Sequence, residues 1–163
     1  MTRLILIRHA KSAWDDPMAD DHARILNARG RRSAALIGDW LHMNGYRPAH
    51  ILCSDAARTA ETARRLLPSF ETPPKISYHR ALYHAAQGAI LDLITATEAD
   101  PIAVIGHNPG IGSLAQALVA TPPDHPRFRD YPTCATTIID FDGPIAQGRG
   151  TCVDFVVPRD LSD

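Results

Sequence analysis

Arginine and histidine recur in this chain where a buried-looking element has just ended. Arg8-His9 follows the apolar run Leu4-Ile5-Leu6-Ile7, Arg58 comes four residues after Ser54 at the end of "HILCS", and His107 follows "IAVIG". A core strand has no use for a cation at its end, whereas a site that must hold an anion does. Two guanidiniums present fixed, permanently charged forks that match phosphoryl oxygens in pairs. Arg58 would stand in the first turn of a helix, and His107 just before "NPG" and a second helix start, where free backbone N–H groups add positive potential. Repulsion from such cations should lower the pKa of His9 and keep its ring neutral near pH 7. A neutral imidazole facing a phosphoryl group is a competent nucleophile. Singly, each residue has an ordinary reading. A strand-end Arg is usually solvated or ion-paired, and a His near a helix start usually makes a local hydrogen bond. Together, four such positions at three strand ends form a pattern that chance rarely supplies.

The elements that must position these residues alternate along the chain. Continuous apolar runs predict buried strands over 3–7, 50–53, 75–78 and 102–106. Helical spacing predicts helices over 28–45, 54–67, 86–97 and 110–120. Gly45 is placed as the residue closing the first helix, Ser54 or Asp55 as the N-cap of the second, and Asn108 with Pro109 as N-cap and N1 of the last. A Pro-rich loop over 121–133 leads into strands over 135–141 and 151–157. The expected fold is an α/β three-layer sandwich with a mostly parallel central sheet flanked by helices. In such sheets ligands collect beyond the carboxyl ends of the strands, where all three clusters would emerge on one edge.

The bulk properties narrow the partners. With 163 residues and 45% hydrophobic content, the chain is expected to form a single domain, 1–163, with a substantial core. A formal net charge of −1 gives no general attraction to nucleic acid or anionic membrane, so anion recognition must be local. Three widely spaced cysteines, Cys53, Cys134 and Cys152, suit neither a disulfide framework nor a zinc site. They fit a reducing cytoplasm. No leader pattern or membrane-length apolar stretch is present in the sequence. His22, His42, His50, His79 and His125 lack the paired spacing of metal ligands and are read as surface or loop residues. Cys53 reads as a small buried hydrophobe, and Trp14 as a core residue by default, close enough to line a pocket.

The segments "LILIRHAKSAW", "CSDAARTAETA" and "VIGHNPG" resemble the three signature segments of the histidine phosphatase superfamily, whose fold is phosphoglycerate-mutase-like. The Arg-His-Ala variant followed by Lys-Ser, with "DHARILNARGRR" downstream, is similar to the SixA-like phosphohistidine phosphatases, and the likeness spans about residues 3–157. It implies His9 as nucleophile through a phosphohistidine intermediate, with Arg8, Arg58 and His107 holding the phosphoryl oxygens. No metal or other cofactor is implied, because cationic side chains supply the positive field. Arg24 is the candidate fourth phosphate contact. Asp15 stands where the mutase-like branch carries an Asn that helps bind phosphate. A carboxylate there would repel a dianion, so that role is not carried over.

A second departure concerns the proton donor. Other branches of the superfamily place a Glu or Asp after the third strand, but "YHRALYHAAQGAI" (78–90) contains no carboxylate. Tyr83 or His84 could substitute. An alkoxide departs poorly without a proton, whereas imidazole, whose conjugate acid has a pKa of roughly 6.5, departs readily. The resemblance and the missing acid together point to phosphohistidine on a partner protein, such as a phosphotransfer domain. A small-molecule phosphomonoesterase, a non-catalytic phosphoprotein-binding module and a mutase are the alternatives; the first of these would take a small phosphorylated substrate. The expected protein is a cytoplasmic monomer without nucleic-acid or membrane partners.

Overall fold

Leu4, Leu6, Ile5 and Ile7 are essentially without solvent exposure, and they explain why the chain begins as a strand. In a computed structural model, which describes residues 1–162, β1 (Thr2–Arg8) lies inside a six-stranded sheet, between one parallel and one antiparallel neighbour. Successive side chains of a strand point to opposite faces. Leu4 and Leu6 therefore join the apolar cluster on one face, and Ile5 and Ile7 the cluster on the other. That two-sided burial is what the unbroken apolar run encodes.

The remaining strands are β2 (His50–Ser54), β3 (Lys75–His79), β4 (Ile102–Gly106), β5 (Thr136–Phe141) and β6 (Thr151–Val156), in the order β3-β2-β4-β1-β5-β6. The first four run parallel, while β5 is antiparallel to both β1 and β6. Helices α1 (Ala28–Met43) and α2 (Ala57–Leu66) cover one face through Ala34, Ile37, Leu41, Ala63 and Leu66. Helices α3 (Gln87–Thr95) and α4 (Gly110–Leu118) cover the other through Ile90, Ile94, Ile111 and Leu114. The three-layer α/β architecture with a mostly parallel sheet is therefore as expected. A short helix α5 (Pro158–Leu161) and 3-10 turns at Asp21–Ala23, Leu67–Ser69 and Arg80–Leu82 were not legible in the pattern. No helix among the described residues is long and apolar enough to cross a membrane.

Register decides where the site falls. Arg8 pairs with Gly106, Ile105 with Cys53, and Ser54 with His79, so the carboxyl ends of β1, β4, β2 and β3 are level. Gly45 closes α1 in the left-handed region at φ 73°, the conformation that favours glycine. At its other end α1 starts on Asn27, whose Oδ1 accepts from Gly30 N at 2.8 Å, while Asn27 N donates to Lys11 O at 3.0 Å. These bonds draw the helix start against the segment leaving β1. A Cβ on Gly30 would sit 2.0 Å from Lys11 O.

Gly30→Ala should therefore destabilise the fold by about 1–3 kcal/mol through overpacking. Gly88→Ala is the converse case, since nothing lies within 4 Å of its added Cβ in α3. It should stabilise by about 0.5–1 kcal/mol. Urea unfolding of both variants checks the pair, and a neutral Gly30→Ala would show that the α1 start is not held against Lys11.

Candidate active site

The end of β1 is held from several directions. Arg8 N donates to Ala135 O at 3.1 Å and Arg8 Nη1 to Tyr131 O at 3.2 Å. His9 N donates to Gly106 O at 3.0 Å, and His9 O accepts from Cys134 N at 3.0 Å. The His9 Nδ1 is 2.7 Å from Ala10 O. A carbonyl can only accept, so Nδ1 carries the proton and Nε2 keeps its lone pair. Ala10 is fully buried, and its N–H donates to Thr62 Oγ1 of α2 at 3.0 Å. The small residue after His9 thus meets α2 at close range.

The other strand ends supply the opposite wall. Arg58 is 2% exposed; its Nη1 donates to Asp21 O at 2.7 Å and its Nη2 to the Asp21 carboxylate at 3.1 Å. His107 is equally buried, its ring centroid 5.3 Å from that of His9 and its Nε2 2.8 Å from Ser54 Oγ. Arg24 bonds the Ser12 hydroxyl and stacks 3.7 Å above the Trp14 ring. Arg8, His9, Arg24, Arg58 and His107 thereby line one cavity of about 340 Å³, together with Lys11.

Two caps differ from expectation. The N-cap of α2 is Ala56, because Ser54 belongs to β2 with its hydroxyl against His107, and Asp55 is paired with His22 at 2.7 Å. In α4 the N-cap is Pro109, one residue later than expected. Asn108 still caps through its side chain, which accepts from Gly112 N at 3.2 Å and donates to Tyr131 O at 2.9 Å. Trp14 is not a core residue; it is 72% exposed at the rim. Asp15 is exposed and lies outside the lining of the cavity.

Burial and like charge shape the protonation of the site. The His9 pKa falls to about 3, first because burial disfavours the charged ring and then because Arg8, Arg58 and Arg24 repel it. Repulsion alone was the expected cause, and desolvation proves the larger. His107 also falls to about 3, through burial, then His9, Arg58 and His84. Burial and Arg58 lower Arg8 as well. Among the described residues, five buried side-chain polar atoms have no partner, and four are nitrogens of this cavity's lining: Arg8 Nε, Arg24 Nε, Arg58 Nε and His107 Nδ1. Buried polar groups are normally satisfied, so their concentration here suits an oxyanion.

Sequence reasoning missed a carboxylate. Asp21, in the first 3-10 turn, accepts from Arg58 and from Arg24 Nη2 at 2.9 Å, and from the Tyr83 hydroxyl. The Tyr83 bond, with the two guanidiniums behind it, holds its pKa far below the usual carboxylate range against the opposing effect of burial. No acid exists within 78–90, yet one is delivered to Tyr83 and His84 from a distant loop. The only local signal was the three-residue spacing of Asp21 and Arg24. His84 Nε2 is 3.2 Å from Asp21 Oδ2 and 3.3 Å from Arg58 Nη2, so its protonation decides whether it donates to one or accepts from the other. The His84 ring stacks on Tyr83 at 4.1 Å. Its backbone is left-handed, at φ 52°. The loop carrying it packs on α4 at Gly110, where a Cβ would meet Ala85 O at 1.9 Å. His22, expected on the surface, packs edge-on to Tyr83 at 4.8 Å.

The fold and this arrangement define an α/β protein with a cationic cavity at the carboxyl edge of its sheet, and comparison with known proteins gives its class. The family described as "Histidine phosphatase superfamily (branch 1)" matches residues 4–82. The crystal structure of the candidate phosphohistidine phosphatase SixA from Agrobacterium tumefaciens superposes with a TM-score of 0.81 at 31% identity, covering 96% of this chain and 98% of that one. The SixA candidate from Nakamurella multipartita gives 0.80 at 26%, covering 96% of each chain. An uncharacterised protein of Mycobacterium tuberculosis is 31% identical over 163 residues, 94% of this chain and all of that protein. The chain belongs to the histidine phosphatase superfamily, in its SixA-like branch.

The protonation of the two buried rings is directly measurable. His9 and His107 should remain neutral down to about pH 4 in NMR titrations of the free protein, since their folded pKa values lie near 3. Unfolding returns them to roughly 6.5. Stability contributed by their neutral state should thus be complete above that value and be lost as pH falls from 6.5 toward 3. Ring titration midpoints near 6.5 would show that neither imidazole is desolvated.

Proposed function

We propose that this phosphatase hydrolyses phosphohistidine on a partner protein, using His9 as nucleophile and Arg8, Arg24, Arg58 and His107 to hold the phosphoryl oxygens. The observation that carries the reading is the His9 imidazole, neutral and tied at Nδ1 to Ala10 O so that Nε2 retains its lone pair. In the first step Nε2 forms a bond to phosphorus while the phosphorus–nitrogen bond of the substrate breaks. The substrate imidazole leaves neutral when its second nitrogen bears a proton. Water then attacks phospho-His9, releasing inorganic phosphate, while Nε2 recovers its lone pair. The guanidiniums are already in place before charge develops on the transferring group, which is the condition for strong electrostatic stabilisation. The positive field comes from side chains, so no metal enters the mechanism. The three cysteines are free, as suits a cytoplasmic protein.

His9→Ala should abolish turnover in a folded protein, a loss of at least about 10³-fold. Wild-type protein, but not the variant, should incorporate acid-labile phosphate, and excess chelator should leave the rate unchanged. Residual activity near the wild-type level in His9→Ala, or loss under chelator restored by magnesium, would overturn the mechanism.

The missing acid bears on the substrate. Asp21 is ionised by its hydrogen bonds, so near neutral pH it has no proton to give a departing alkoxide. General acid catalysis contributes about 10²–10⁴-fold, and sugar phosphates should be disfavoured by that factor relative to phosphohistidine and aryl phosphates. Measuring kcat/KM across the three substrate types tests this. Equal rates for the sugar phosphate would reveal a working acid and favour a small-molecule phosphomonoesterase.

A further inference from the structure

Beside the catalytic cavity runs a second, larger concavity, lined by Lys11, Arg29, Arg127 and Arg159 and sharing Arg8, Lys11 and Thr133 with the first. Its volume is about 350 Å³, and it continues through Arg29, Ser33, Pro158 and Arg159 into a third of about 490 Å³ that adds Arg32. The three form one trough leading from His9 along the start of α1 to α5. Among the described residues Asp130 is the only carboxylate lining the second and third, and it is paired with Arg127 at 3.0 Å. Lys11, Arg29, Arg32 and Arg159 are exposed and take part in no ion pair among the described residues. The chain as a whole carries a formal charge of −1, so this excess of cations is local.

Folding gives no reason for it. The first turns of α1 hold Arg29, Arg31 and Arg32 and no acid, although a helix N-terminus disfavours cations. Arg31 is explained by Glu61, 2.6 Å away. Among the described residues Arg29 and Arg32 have no such partner, and they are placed against the helix dipole all the same. The floor between the cations is Pro132, Val157, Pro158 and Leu36, without an aromatic ring on which a nucleobase could stack. A small phosphate ester would be accommodated in the catalytic cavity alone. We propose that the trough is the docking surface for an acidic polypeptide segment flanking the phosphorylated histidine of the substrate protein. This rests on the protein-phosphohistidine reading above. Carboxylates of the segment would meet Lys11, Arg29, Arg32 and Arg159 while the phosphoryl group enters beside His9, so the trough would raise the rate of encounter and orient the substrate.

The test compares wild type with Arg29→Glu/Arg159→Glu and with Lys75→Glu/Arg149→Glu, a control of equal charge change outside the trough. A fluorescein-labelled, unphosphorylated Glu/Gly peptide should bind wild type and control alike, and at least tenfold more weakly to the trough variant. Wild type should also hydrolyse a phosphohistidine peptide with Glu flanks at least tenfold faster in kcat/KM than one with Ser flanks. That preference should vanish in the trough variant and shrink with added salt, while aryl phosphate turnover stays unchanged in all three proteins. Equal peptide affinity across the three proteins overturns the proposal. So does tighter binding of a labelled oligonucleotide of the same charge, lost in the trough variant, which would assign the surface to nucleic acid. If neither phosphohistidine peptide is hydrolysed while the aryl phosphate is, the substrate reading fails, and the binding measurement still decides what the trough holds.

Discussion

The arrangement that the rest of the site depends on is the crowding of three guanidiniums around a buried imidazole. Burial depresses the pKa of His9 most, and Arg8, Arg58 and Arg24 depress it further. Such a cluster does not assemble for its own stability, since like charges in a poorly solvated cavity repel. It is held by the fold. The level carboxyl ends of β1, β2 and β4 fix where the three segments emerge. Backbone bonds to Gly106 O and from Cys134 N lock the His9 peptide. Asp21 offsets part of the charge by accepting from both Arg24 and Arg58.

Much of this was legible because it depends on main-chain topology. A strand buried on both faces must be uniformly apolar, so its end is visible where the first polar residue appears, as at Arg8, Ser54 and His107. Parallel pairing then obliges those ends to share an edge. The neutral state of His9 was also foreseeable, although its larger cause, desolvation, required knowing how deeply the ring lies. The N-cap of α2 was misplaced for a related reason. Ser54 has the right chemistry to cap, but its hydroxyl is engaged by His107, a partner 53 residues away.

Asp21 was illegible for a different reason. It lies in a polar loop, "MADDHARILN", where no periodicity marks which side chain turns inward. Only the packing of that loop against α2 and the Tyr83-His84 turn brings the carboxylate to the cavity. An argument confined to the segment after the third strand could see that an acid was missing there, but not that one arrives from elsewhere. The distinction bears on chemistry, because a carboxylate bonded by two guanidiniums and a phenol is a charge-balancing group before it is an acid. Trp14, a core residue by default, instead lines the cavity as its position near Arg8 and His9 allowed, and its exposed ring serves as the platform for Arg24.

Charge balance ties the site to its surroundings. With both buried imidazoles neutral, the three guanidiniums and the Asp21 carboxylate leave two positive charges around His9, with Lys11 on the cavity wall adding a third. A phosphoryl dianion carries close to those two charges in the opposite sense, so it would neutralise the surroundings of His9 without displacing Asp21 from its role. A further anionic group on a substrate would find only Lys11 left unmatched at the cavity. Beyond Lys11 it would experience the field of Arg29, Arg32 and Arg159 just outside. Two scales of recognition follow from one electrostatic constraint. On the proposed reading the buried arginines would match a single phosphoryl group, and the exposed cations would extend the positive surface over the distance that a polypeptide, rather than a small ester, covers.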